Sequence, residues 1–211
     1  MLVVVGGHSR NIGKTSAVVS LIRSLPEWNW TAIKITQYGH GICSPAGESC
    51  ECAVEYDHPY AATEERDAGS GTDTGRFLAA GARRSVWIRT AAGQLGHALP
   101  SIREYCASAQ NVVLESNSVL QFLKPDLHLM VLDFANSDFK TSCLTHLSRA
   151  DAVLISNSKG RPDWHGIAPQ LWITKPKFSI EPPSFWSERV TSFVRQKLAS
   201  GEDDLPDLST T

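Results

Sequence analysis

Residues 2–5 are an unbroken apolar, β-branched run (Leu-Val-Val-Val), and five further runs of the same kind follow along the chain. They cover Thr31–Ile35, Ser85–Ile88, Asn111–Leu114, Leu127–Leu132 and Ala152–Ile155. Runs without polar alternation predict strands buried on both faces. Between several of them the apolar positions recur at helical spacing: Lys14–Leu25, Thr74–Gly81, Gly96–Ala107 and Thr141–Arg149. Strands alternating with helices predict an α/β fold with a mostly parallel sheet covered on both faces, a three-layer arrangement. A last amphipathic pattern, Ser184–Ala199, predicts a C-terminal helix with Phe185, Trp186, Val190, Phe193, Val194 and Leu198 on its apolar side. One stretch breaks the pattern. Residues 37–72 are rich in Gly, Cys, His and Glu, and predict a long insertion after the second strand without regular structure.

Composition adds little beyond this. The 211 residues suit one α/β domain over 1–199, followed by an acidic, polar tail over 200–211 that predicts disorder. A formal net charge of −2 gives no basic footprint for a nucleic-acid partner. No apolar stretch is long enough for a membrane span, and Met1 leads straight into a strand without a basic leader, so the expected location is cytoplasmic. Five cysteines in such a chain suggest thiols or metal ligands rather than a disulfide framework. Cys106 and Cys143 fall in helical patterns and read as packing residues.

The chemistry concentrates after the first strand. Gly7-His8-Ser9-Arg10-Asn11-Ile12-Gly13-Lys14-Thr15-Ser16 leads from strand to helix. Backbone N–H groups of such a loop and the positive end of the following helix hold phosphate oxygens. Gly13 permits close backbone approach, Lys14 sets a charge over the β- and γ-phosphates, and Thr15 offers a hydroxyl to Mg²⁺. Ser9, Arg10, Asn11, Ile12 and Ser16 complete the expected phosphate-binding set. Five residues separate Gly7 from Gly13, one more than in the common loop.

Four other features bear on the same chemistry. Glu115 ends an apolar strand, where an acid positions Mg²⁺ directly or through water, and small polar residues, Ser116-Asn117-Ser118, follow it. Lys34 stands inside an apolar strand, which suits either an anion at the strand's carboxyl end or a snorkelling edge position. Asn157 ends another strand, where its amide suits either base recognition or a turn. Thr72 and Asp73 read either as a helix cap with an acid in its first turn or as a group near Mg²⁺ or substrate, with Arg76 near phosphate. Separately, Cys43, Cys50, Cys52 and His58 have the spacing Cys-x6-Cys-x-Cys-x5-His, a donor set suited to tetrahedral Zn²⁺, with His40 as an alternative ligand.

The Gly-x5-Gly-Lys-Thr spacing resembles the loop of dethiobiotin synthetase and its relatives. The stretch Gly71-Thr-Asp-Thr-Gly-Arg-Phe-Leu-Ala-Ala-Gly-Ala82 resembles the corresponding pattern of MobB-type proteins, which serve molybdopterin-guanine dinucleotide synthesis. The resemblance spans roughly 1–160 and implies a P-loop nucleoside-triphosphatase fold. It implies roles for Lys14, Lys34, Asp73 and Glu115 at the reaction centre, with Thr15 and Glu115 on Mg²⁺ and Asn157 on the base of GTP or ATP. It further implies a homodimer and slow nucleotide hydrolysis in support of cofactor assembly, with a cofactor-assembly protein as partner. The alternative it implies is an ATP-dependent ligase or kinase acting on a small acidic substrate. A third expectation is a zinc-stabilised, nucleotide-switched binding or metal-delivery module.

Overall fold

The computed structural model describes residues 1–38, 59–162 and 164–199. Eight strands form a single sheet: β1 Leu2–Gly7, β2 Thr31–Tyr38, β3 Tyr60–Glu64, β4 Arg84–Ala91, β5 Val112–Glu115, β6 Leu127–Asp133, β7 Ala152–Ser156 and β8 Lys177–Ser179. Their order is β3-β4-β2-β5-β1-β6-β7-β8. Every pairing is parallel except β3 with β4. The helices are α1 Lys14–Ser24, α2 Asp73–Ala79, α3 Leu95–Ala107, α4 Thr141–Leu147 and α5 Glu188–Ala199.

The apolar runs do what their composition requires. Val3, Val4 and Val5 are fully buried. Val3 and Val5 face one layer, with Ala17, Val18, Leu21 and Ile22 of α1, Phe77 of α2, and Val190, Val194 and Leu198 of α5. Val4 faces the opposite layer, with Ile33, Ile88 and Leu114 of the sheet and Leu95, Ala98 and Ile102 of α3. Met130, Leu132, Val153 and Ile155 extend that second face against Cys143 and Leu147 of α4. Alternation of side chains along each strand thus produces three layers.

Three expectations need correction. Residues 37–72 are not wholly irregular, because β2 runs on to Tyr38 and Tyr60–Glu64 adds β3 antiparallel to β4. This edge strand is mostly exposed and lacks an apolar run, so its pairing comes from β4 rather than from its own pattern. Strand β8 is three residues on the other edge, equally unmarked by composition. Helix α5 starts at Glu188 rather than Ser184. Phe185 stands at φ 50, a left-handed backbone that no helix continues through. Residues 200–211, Cys43, Cys50, Cys52, His58 and His40 lie outside the described residues. No helix among the described residues is long and apolar enough to cross a membrane.

Candidate functional site

The carboxyl ends of β1 and β5 meet the middle of β2, so Lys34 stands mid-strand rather than at the carboxyl end of its strand. Register sets this: Val5 of β1 and Lys34 of β2 both lie level with Glu115, the last residue of β5. Asn117 then fastens the two strand ends together. Its Nδ2 donates to the Gly7 carbonyl at 2.8 Å, and its Oδ1 accepts from the Gly7 N–H at 2.9 Å. A Cβ on Gly6 would lie 2.4 Å from that Oδ1, so the glycine there is a matter of space.

The loop leaves β1 along the 133–140 segment. The His8 N–H donates to the Val131 carbonyl at 3.2 Å, and the Lys140 N–H donates to the His8 carbonyl at 2.8 Å. The Ser9 hydroxyl donates to Asp138 Oδ2 at 2.6 Å. The His8 ring is fully buried, stacked on Phe139 and tilted against Trp164. The Asp133 N–H donates to His8 Nε2 at 2.9 Å, so that nitrogen carries no proton. Nδ1, 2.8 Å from the Asp138 carbonyl, is therefore the donor. Burial holds the ring below its ordinary pKa, against the opposing pull of the Asp138 backbone and the Asp133 charge.

The loop turns back at Asn11 (φ 56), is anchored by buried Ile12, and enters α1 through Gly13 at φ 94. No side chain caps α1 and no acid stands in its first turn. The loop and helix amides are thus left with the partial positive charge of the helix start. Lys14 lays its stem across Gly7 and donates to the Ser9 carbonyl. Desolvation lowers its pKa to about 8, with Glu115 opposing and Lys140 and Lys34 adding to the fall. Arg10 is exposed at the loop tip, and Lys140 is half-buried nearby.

Next to this loop lies a charged cluster. The Thr15 hydroxyl donates to Glu115 Oε2 at 2.8 Å. Lys34 Nζ lies 3.2 Å from Glu115 Oε1 and 3.4 Å from Thr15 Oγ1, and it also contacts Asp73. Glu115 and Lys34 keep little solvent contact, at 6% and 16% side-chain exposure. Burial acts to lower the Lys34 pKa, but the Glu115 and Asp73 carboxylates outweigh it and raise the value. Lys34 is therefore no snorkelling residue; it is a charged group held between two acids and a hydroxyl. Arg76 donates to Asp73 at 3.3 Å and to the Ser16 hydroxyl at 3.1 Å.

Asp73 owes its place to the loop before it. Thr72 caps α2 by accepting from the Gly75 N–H at 3.0 Å, with Asp73 in the first turn, as the cap reading of this pair requires. Glu65 gathers the segment. One oxygen accepts from the Arg66 and Asp67 N–H groups, and the other from the hydroxyls of Ser70, Thr72 and Thr74. The Asp67 N–H bond is the largest cause that holds its pKa down at about 2.

Asn157 lies apart from this cluster. It sits at the end of β7 with φ 49 and donates to Asp133 Oδ1 at 2.9 Å. With Phe134, Ala135, Lys159, Arg161 and Glu181 it lines a cleft of about 570 Å³. Asp133 joins the two regions, since its backbone bonds His8 and its carboxylate bonds Asn157.

As for metals, the Thr15 hydroxyl and the Glu115 carboxylate are oxygen donors suited to a hard cation. The Lys34 ammonium, drawn in among the oxygens of Thr15, Glu115 and Asp73, shows that this place accepts positive charge. No group of three or more His, Cys, Asp or Glu suited to a metal occurs among the described residues. The proposed zinc ligands fall outside them.

Sequence reasoning singled out Lys14, Thr15, Lys34, Asp73 and Glu115, which the fold brings to one place, but not the residues that support them. Asn117 was legible only as part of a small polar run. Asp138, Trp164 and Lys140 carry no local signal, and His8 and Phe185 were legible only as a loop residue and an apolar helix-face residue, because their roles arise from contacts more than a hundred residues away in the chain.

No family model and no curated protein matches the chain. Several solved structures resemble it in backbone course, among them these two. One is HypB from Helicobacter pylori in complex with nickel, at 14% identity and TM-score 0.49, covering 94% of this chain and 87% of that one. The other is LpxK from Aquifex aeolicus in complex with ATP, at 15% identity and TM-score 0.47. That match covers 84% of this chain but only 53% of the LpxK chain. At these values the likeness carries no weight for activity or substrate.

Proposed function

We propose that this protein binds and hydrolyses a nucleoside triphosphate with Mg²⁺. The observation that carries the reading is the Thr15–Glu115 hydrogen bond of 2.8 Å beside a glycine-hinged loop that ends at Lys14. An acid at one strand end and a hydroxyl at the start of α1 meet there, as the Mg²⁺ role requires. When bound, Mg²⁺ supplies charge neutralisation on the phosphoryl oxygens, with Thr15 and Glu115 as its protein oxygens. The remaining work belongs to the chain. Amides of Ser9–Ser16 bind phosphate oxygens, and Lys14 exchanges the Ser9 carbonyl for a phosphate. Lys34, kept charged by Asp73 and Glu115, stabilises charge on the transferred group. The 570 Å³ cleft at Asn157 takes the base, guanine or adenine.

The finer reading is MobB-like, with slow hydrolysis serving cofactor assembly. Its support is α2: the Gly71–Ala82 stretch forms the cap and helix that bring Asp73 and Arg76 to the phosphate loop. A second reading is phosphoryl transfer to, or ligation of, a small acidic substrate. Its support is the cation pair Lys34 and Arg76 on either side of Asp73.

The test is titration of Mg²⁺ with ATP or GTP by calorimetry, for the native chain and for Lys14→Ala. Loss of a charge-assisted contact of ~3 kcal/mol predicts a fall in affinity of about 100-fold in a folded variant. Undiminished binding by folded Lys14→Ala would sink the proposal. Phosphate release that needs an added acidic substrate would favour the second reading.

A further inference from the structure

The segment 181–186 crosses the phosphate loop before α5 begins. It leaves β8 after Ile180, whose N–H donates to the Ile155 carbonyl at 2.8 Å. The Ser184 carbonyl then accepts from the Ser20 hydroxyl of α1. Phe185, whose N–H donates to the Glu181 carbonyl at 2.9 Å, takes φ 50. A bulky residue adopts that conformation only when its surroundings hold it there. What holds it is the side chain. The Phe185 ring packs on the core cluster that contains Ile12 and Ala17, and it covers Gly13. A Cβ built on Gly13 would lie 2.5 Å from Phe185 Cδ1 and 2.7 Å from Cε1.

Gly13 is therefore constrained twice. Its φ of 94 suits glycine, and the space beside its Cα is already filled by an aromatic ring. Ring contact leaves Gly13 no room to swing toward the C-terminal segment. The residue whose backbone angles aim the amides that follow is thus fixed by an aromatic ring that itself packs on the core.

We infer that Phe185 is a positioning residue for the phosphate loop: its ring, seated on Gly13, holds the loop in its anion-binding conformation. This rests on the phosphate-loop reading of residues 7–16. The same segment also reaches the cleft at Asn157 through Glu181, so the C-terminal part of the chain touches both regions.

The experiment compares Mg²⁺–ATP and Mg²⁺–GTP binding by the full chain, Phe185→Ala, Phe185→Leu and Lys14→Ala, alongside thermal unfolding. Phe185→Ala is expected to raise Kd by about tenfold or more, because small misplacement of binding groups is costly. Phe185→Leu keeps an apolar side chain on Gly13 and is expected to restore most of the affinity. A merely structural role would lower the unfolding temperature of Phe185→Ala and leave the Kd of its folded fraction at the native value, which overturns the inference. Because Phe185→Ala can fail to fold, a second readout uses the native fold with 4-fluorophenylalanine at position 185. Its ¹⁹F resonance is expected to shift on addition of the preferred Mg²⁺–nucleotide and to stay put in the Lys14→Ala background. A resonance unmoved by saturating nucleotide overturns the inference while leaving the nucleotide reading intact. Nucleotide binding that survives Lys14→Ala removes the reading itself, and the inference with it.

Discussion

Lys14 is the side chain on which the proposed phosphate binding turns. Its ammonium rests on the Ser9 carbonyl, and desolvation brings its pKa to about 8. A bound triphosphate favours the charged form and returns the pKa toward the ordinary lysine value. The sign follows directly. Below pH 8 the free protein already carries the proton, and affinity is level. Above pH 8 the proton must be taken up on binding, so affinity is expected to fall by about tenfold per pH unit. Calorimetry at pH 8 in buffers of different ionisation enthalpy should show uptake of about half a proton. A heat independent of the buffer would contradict this account. Lys34 behaves oppositely, since its two carboxylates keep it charged throughout that range.

At the scale of elements, the site depends on how strand ends and a helix start are fastened. Asn117 satisfies both the N–H and the carbonyl of Gly7 and so clips β1 to the turn after β5. Asn117→Ala leaves both groups without that partner and is expected to cost about 2 kcal/mol, measured by denaturant unfolding. Its effect on nucleotide affinity should exceed that of a surface substitution of equal stability cost. Helix α2 is fastened differently, by the Thr72 cap and the Glu65 carboxylate beneath it. Thr72→Ala should cost ~1 kcal/mol, the usual value for a lost cap. It should also reduce turnover, because Asp73 leaves α2 at that point to meet Lys34. Unchanged turnover would show that Asp73 keeps its place without the cap. The elements that pattern alone identified, β1, β2, β4 to β7 and all five helices, carry apolar runs or helical periodicity of their own. The two edge strands β3 and β8 escaped because their pairing is supplied by β4 and β7.

At the scale of the whole molecule, three histidines among the described residues are buried: His8 in the 7–16 loop, His128 on β6 and His146 on α4. Burial is the first cause that lowers the pKa of each, for His128 to about 4. All are thus held in the neutral form. In the unfolded chain each returns to about 6.5. Folded values below unfolded values give stability that is complete above pH 6.5 and is lost as pH falls toward the folded values. His128 alone accounts for about 3 kcal/mol between pH 7 and pH 4. The melting temperature is therefore expected to drop steeply below pH 6.5, and His128→Phe should flatten that drop. An acid limb unchanged in this variant would remove His128 from the account. His8 adds a local consequence, since protonation at Nε2 would set a proton against the Asp133 N–H and loosen the loop from the 133–140 segment.

The sequence by itself determined the strand–loop–helix at residues 2–24, the alternation of strands and helices, the acid at one strand end and the lysine within another strand. Those features are local: a β-branched run, a glycine hinge and a helical period act through neighbours in the chain. It also left two readings open at Lys34 and at Thr72–Asp73; the folded chain shows Lys34 held between two carboxylates and Thr72 capping α2. Lys34 meets Glu115 because β2 and β5 pair in one register, and a shift of one residue would turn its side chain to the other face. The loop is held by Asn117, Asp138 and Phe185, which lie more than a hundred residues away from it. Sheet order, edge pairing and the crossing of residues 181–186 over Gly13 are products of non-local contact. No pattern of apolar and polar positions encodes such contacts, because their energies exist only once distant segments have been brought together.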